Sequence, residues 1–261
     1  MQQKEEVFAK LALVIDPELD QSLPELGFIN EVIIEESHVK VSFRLPTYWC
    51  STNFAYMMAE DIRDRVGELP RVKSIIVSLE DHCASAEVND GVNTGKSFAE
   101  AFPDMATGEL DGLRRTFRVK AFIVRQEKLL QHFIREGFDH QAILNLTLRD
   151  VADHLALKSD KKALAERYFS IREEFGYVND PESVAFIQPD GQPLDLDGFP
   201  DYLLASRRTR LSMEFNGHYC QDLFQTRYHT EPSNPEDSTI ESSAVSVSSA
   251  AWSETTTSCI R

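Results

Sequence analysis

The 261-residue chain has room for one or two domains and a sizeable core. Its formal net charge of −16 argues against a nucleic-acid partner, because phosphate binding needs a basic surface. The longest apolar runs, Leu11–Ile15 and Ser74–Leu79, are far too short for a membrane span. The N-terminal MQQKEEVFAK lacks the apolar core of a signal peptide, so the expected location is cytoplasmic, away from any membrane.

In chain order, Lys4–Ile15 has helical apolar spacing, with Val7, Leu11 and Val14 on one side. Asp16-Pro17 ends it, since proline disfavours helical geometry in the residue before it. Phe28–Glu35 and His38–Leu45 are β-branched and apolar and flank the short polar Glu36-Ser37, which predicts an antiparallel hairpin. Pro46-Thr47 opens a loop. Thr52–Val66 is helical, with Phe54, Met58, Ile62 and Val66 four residues apart. Val72–Leu79 reads as a third strand, and its continuous apolar core predicts an interior place in the sheet. Ala84–Lys96 is polar and Gly/Asn-rich and reads as a long loop or linker.

Beyond it the pattern becomes helical: Glu109–Glu136, Leu146–Leu157 with a capping box from Thr147 to Asp150, and Lys161–Phe175 with Gly176 as its stop. Asn179–Pro200 is loop-like, and Tyr202–Tyr228 is helical with an interruption expected at Asn216-Gly217. Thr230–Arg261 is dominated by Ser, Thr, Glu and Pro and reads as a disordered tail. The expected fold class is α+β: a small αββαβ domain over residues 1–95, a mainly helical client-binding or accessory region over 96–229, and the tail over 230–261.

Four cysteines, with no CxxC pair, make neither a disulfide framework nor a closed zinc site, so free thiols are expected. Cys50, in LPTYWCSTN, stands between a strand end and a helix start. Unpaired N–H groups at a helix N-terminus favour a nearby anion, and thiolate is the form that binds iron or zinc and attacks electrophiles. His82-Cys83 follows the third strand and supplies two further metal-ligand types. Asp16 and Glu18 contribute carboxylates at the first helix end. GxGxxG, GxxxxGK[ST] and GxSxG are absent from the sequence, so nucleotide binding and a serine-hydrolase elbow have no support in it.

The order Asp16-Pro17-Glu18-Leu19, Leu26-Gly27-Phe28-Ile29, hairpin, Pro46-Thr47, Cys50, helix, strand resembles the metal–sulfur (iron–sulfur) cluster assembly domain family of the SufT/PaaD type. The resemblance covers residues 4–83. It implies a role in maturing iron–sulfur or related iron proteins, with iron or a cluster held transiently and Cys50 as the handling residue. Asp16, Glu18 and Thr47 match other motif positions, while Ser51 stands where many relatives have proline. The helical extension is similar to longer bacterial members associated with multicomponent diiron monooxygenases, which implies an apo iron enzyme of that kind as protein client. His82 and Cys83 are added as metal ligands from their placement alone. Two other readings stay open: a metal-free scaffold for an oxygenase subunit, and an enzyme in which Cys50 is a nucleophile and His82 its base.

Overall fold

The computed structural model of the chain describes residues 2–105, 110–156 and 159–229. They divide into two compact units. The first contains residues 2–16, 21–105 and 219–229; the second contains 17–20, 110–156 and 159–218. The first unit is thus wider than the segment 1–95, because it also takes in a piece of chain from near residue 220. The expected tail, with Trp252 and Cys259, lies outside the described residues.

In the first unit, α1 (Gln2–Leu11) buries Val7 and Leu11 completely. The two-residue strands β1 (Ile15–Asp16) and β2 (Gln21–Ser22) then pair antiparallel. The expected hairpin is present as β3 (Ile29–Glu35) and β4 (His38–Arg44), turning at Glu36 with φ 55°. A register shift between Ile29 and Glu31 leaves Asn30 to reach Ser42 and Glu80 through its side-chain amide. The helix α2 (Thr52–Gly67) crosses over to β5 (Ser74–Glu80), which lies parallel to β4. Val41, Phe43, Met58, Ile62, Val66, Val77 and Leu79 form the buried layer between sheet and helices.

Two expectations for this unit need correction. β5 is not interior: the sheet order is β3-β4-β5, so β5 is an edge strand. Val77 and Leu79 face the buried layer while Ile76 is exposed, and the edge itself is covered in another way. The segment expected to be a linker is a helix, α3 (Ser85–Thr94), followed by the short α4 (Phe98–Ala101). Asn89 accepts from the Leu79 N–H at 2.7 Å and donates to the Leu79 carbonyl at 3.1 Å. Asn93 does the same at Val77, at 2.9 and 2.8 Å. Two asparagines one helical turn apart therefore replace a neighbouring strand and satisfy an edge that would otherwise be open. Gly91 lies between them; a Cβ there would stand 2.8 Å from the Tyr56 hydroxyl, so glycine lets α3 approach α2. Burial is the main cause that raises the Tyr56 phenol to about 12, and its hydroxyl donates to the Lys96 carbonyl.

The second unit is helical: α5 (Leu110–Arg135), α6 (His140–Leu144), α7 (Leu148–Ala156), α8 (Ser159–Glu174) and the part of α9 (Phe199–Tyr228) up to residue 218. Phe122, Phe133, Tyr168, Phe186 and Phe199 dominate its core. The capping box is present, with Thr147 N–H donating to Asp150 at 2.8 Å and Asp150 N–H to Thr147 at 3.1 Å. Those bonds from Thr147 hold the Asp150 carboxyl below its ordinary range. The loop-like stretch before α9 is pinned by buried side chains. The Gln126 amide brackets Ile187, donating to its carbonyl at 2.9 Å and accepting from its N–H at 3.1 Å. The expected break at Asn216-Gly217 does not occur, for α9 runs through it; one helical glycine costs only about 1 kcal/mol, which packed neighbours such as Met213 offset. Among the described residues, no helix is long and apolar enough to cross a membrane.

Candidate functional site

Parallel pairing of β4 with β5 sets Arg44 opposite Glu80. The segments that leave those two strand ends therefore emerge side by side, as loops do at the carboxyl edge of a parallel pair. One is the loop 45–51, which carries Cys50. The other is 81–84, which carries His82 and Cys83. Two hydrogen bonds join them: His82 Nε2 to the Cys50 carbonyl at 2.7 Å, and the Cys83 N–H to the Tyr48 carbonyl at 3.0 Å.

Thr47 organises the thiol. Its N–H points at Cys50 Sγ at 3.4 Å, and its Oγ1 lies 3.3 Å from the same sulfur. Trp49 N–H donates to that Oγ1 at 3.3 Å, and the same hydroxyl can either donate to the sulfur or accept from the thiol. Cys50 is a free cysteine, half-buried, two residues before α2. Ser51 occupies the N-cap position but makes no side-chain cap bond. Beside the thiol, Tyr48 and Trp49 are exposed, Trp49 at 64 %, and pack edge to face.

His82 is 4 % exposed and both of its ring nitrogens are used. Since a carbonyl can only accept, Nε2 carries the proton and donates to Cys50; Nδ1 accepts from the Ala84 N–H at 3.1 Å. Burial pushes the imidazole below its ordinary value, against the bond to Cys50 and with help from the Arg227 charge. Through these two bonds the ring holds the backbone of Cys50, a structural role that the sequence did not suggest beside the expected one of metal ligand. Cys83 is disulfide-bonded, so it is not the free thiol expected of a ligand. Among the described residues, no group of three or more His, Cys, Asp or Glu side chains is arranged to hold a metal ion.

The two carboxylates have other places. Asp16 is buried in β1, opposite Gln21 of β2. Glu18 falls in the second unit, where it accepts from Asn216 at 3.2 Å and lines a cavity of about 300 Å³ with Lys120, Arg208 and Met213. Thus Thr47, Cys50 and His82 come together, while Glu18 does not join them. Sequence reasoning missed Arg227 and Tyr228, the end of α9, which reach the base of the Cys50 loop. They are more than 175 residues from Cys50 in the chain, and nothing local marks them.

Residues 4–78 match the family model described as iron–sulfur cluster assembly protein. The resemblance read from the DPEL and LGFI blocks is thereby shown for this segment, which carries the sheet, α2 and the Cys50 loop. The matched segment is of the iron–sulfur cluster assembly domain class, and the match supports a role in iron–sulfur cluster assembly in general. No curated protein matches the chain.

Proposed function

We propose that the chain is an assembly factor that takes iron, or an iron–sulfur fragment, onto Cys50 as cargo and passes it to a protein client. The observation that carries this reading is the Thr47–Cys50 arrangement: a free, half-buried sulfur faced by the N–H and the hydroxyl of one residue, inside the family-matched segment. A sulfur that releases its proton to solvent as it binds iron gains from the N–H already aimed at it and from a hydroxyl that can then donate to it. With His82 engaged on the Cys50 carbonyl, the protein supplies one soft ligand. The remaining positions on the metal are left for the donor or the client, which is what transfer requires. Tyr48 and Trp49 give the partner an aromatic surface next to the cargo, and such rings are favoured at interfaces. The client of this proposal is an apo iron enzyme, and the extension's similarity to factors linked with diiron monooxygenases makes such an oxygenase the candidate to try.

Anaerobic reconstitution of the full chain with ferrous iron and sulfide tests the reading, with bound metal measured by elemental analysis and absorbance. Wild type is expected to load, and Cys50→Ala is expected to lose the bound iron while keeping its circular dichroism and melting temperature. Equal loading of the two proteins would remove Cys50 from the chemistry.

A further inference from the structure

We infer that the last turn of α9 is a working part of the Cys50 site, and that Arg227 is the positioning residue that fixes the thiol loop. This rests on the reading of Cys50 above. Arg227 Nη1 donates to the Leu45 carbonyl at 3.2 Å and Nη2 to the Asp81 carbonyl at 2.6 Å. Leu45 follows the last residue of β4, and Asp81 follows the last residue of β5. One planar guanidinium therefore ties together the two points at which the Cys50 loop and the His82 loop leave the sheet. Asp81 has φ 52°, an uncommon conformation for a non-glycine residue, and its carbonyl is one of the two that Arg227 holds.

The rest of the turn holds the guanidinium in place. Phe224 is buried and packs on Phe28 at 5.1 Å between ring centroids, which anchors this end of α9 in the first unit. One turn on, Tyr228 packs against Phe224 at 4.7 Å between centroids, the rings tilted by 54°. Its ring carries the Arg227 guanidinium at 5.0 Å and that of Arg44 at 5.2 Å. Arg44 is in turn bound to Glu80 and Asp81. These contacts connect β4, β5 and α9 around the base of the thiol loop. The family match ends at residue 78, so this part of the site comes from a segment far outside it. Lysine cannot substitute, because a single ammonium on a flexible stem does not reproduce a two-pronged planar donor.

The experiment uses the full chain with Arg227→Ala, Arg227→Lys and Arg227→Gln. Amide hydrogen exchange is read over 45–51 and 81–84, and cobalt(II) titration is read by thiolate-to-cobalt charge-transfer absorbance. Loss of two bonds from a charged donor predicts exchange faster by about tenfold in those two segments of Arg227→Ala, with the helices of the second unit unchanged. Cobalt binding weakens by a similar factor. Arg227→Lys restores neither, whereas guanidinium ion at low millimolar concentration, with sodium chloride as control, restores protection in Arg227→Ala. If Arg227→Ala does not fold, Arg227→Gln carries the same comparison. Unchanged exchange at 45–51, full recovery by lysine, or a rise spread evenly over the first unit would each overturn the assignment. Cys50→Ser separates this from the reading of Cys50. If it binds cobalt as wild type does, the cargo role falls, while the exchange data still decide whether Arg227 holds the loop.

Discussion

The Asp20 carboxylate is 6 % exposed and takes the Arg125 guanidinium on both oxygens, at 2.9 and 2.7 Å. The Arg167 guanidinium donates to this carboxylate and to the Asp20 backbone carbonyl. Arg125 is itself 8 % exposed, so removing the acid leaves a buried cation without its counter-charge. Asp20→Ala is expected to cost about 3–5 kcal/mol in urea unfolding, and Asp20→Asn to recover little of it, because shape returns without charge. Glu127 shows the opposite balance. It is 0 % exposed; Arg210 binds its Oε2 at 2.5 Å, while Oε1 has no hydrogen-bond partner among the described residues. Burial raises its carboxyl above the ordinary value, and the Arg210 charge opposes that only in part. A raised carboxyl is a stabilising proton acceptor at low pH, and that contribution is lost as pH climbs through the folded-state value. Glu127→Gln is therefore expected to melt higher than wild type at pH 7. The gap should narrow as pH falls toward the ordinary carboxylate value of about 4.5. A gap that is constant with pH would show that Glu127 does not titrate this way.

At the scale of elements, the edge of β5 depends on α3 rather than on another strand. Asn89→Ala or Asn93→Ala leaves one backbone N–H and one carbonyl of a buried residue without their side-chain partner. Each is expected to cost about 1–3 kcal/mol, and the double variant to expose the β5 edge, read as faster amide exchange at Val77 and Leu79. Two glycines in helices behave in opposite ways. At Gly217 a Cβ would meet nothing within 4 Å, and Gly217→Ala is expected to stabilise by about 0.5–1 kcal/mol. At Gly91 a Cβ would stand 2.9 Å from that of Ala101 and 2.8 Å from the Tyr56 hydroxyl, so Gly91→Ala is expected to destabilise. Thermal melts of the pair check both signs.

At the scale of the molecule, the family match covers 4–78, yet the first unit also takes in residues 219–229, and the second takes in 17–20. Both assignments matter for the site. The loop with Cys50 is held by a residue from the far end of the described chain, and Glu18, adjacent in sequence to the DP turn, serves the second unit instead. The proposed handling of iron by one free cysteine fits this arrangement, because the neighbouring groups His82 and Arg227 bind backbone carbonyls and not the sulfur.

Features that depend on neighbours along the chain are readable from the amino acids alone. Apolar spacing placed α1, α2, α5 and α8. The Glu36-Ser37 break placed the β3–β4 hairpin, the Thr147–Asp150 spacing placed a capping box, and the DPEL, LGFI and Thr47–Cys50 order pointed to the assembly family. Local periodicity and turn chemistry act over a few residues, so they are written in the sequence directly. That β5 is an edge came from the fold, since Asn89 and Asn93 look like linker residues until they are set against a strand. The fold also sets His82 on the Cys50 backbone, because what a ring binds depends on which carbonyls and N–H groups surround it. The role of Arg227 is of the same kind: a guanidinium on a helix end resembles any solvated arginine, and the two carbonyls that fix it are 182 and 146 residues away along the chain.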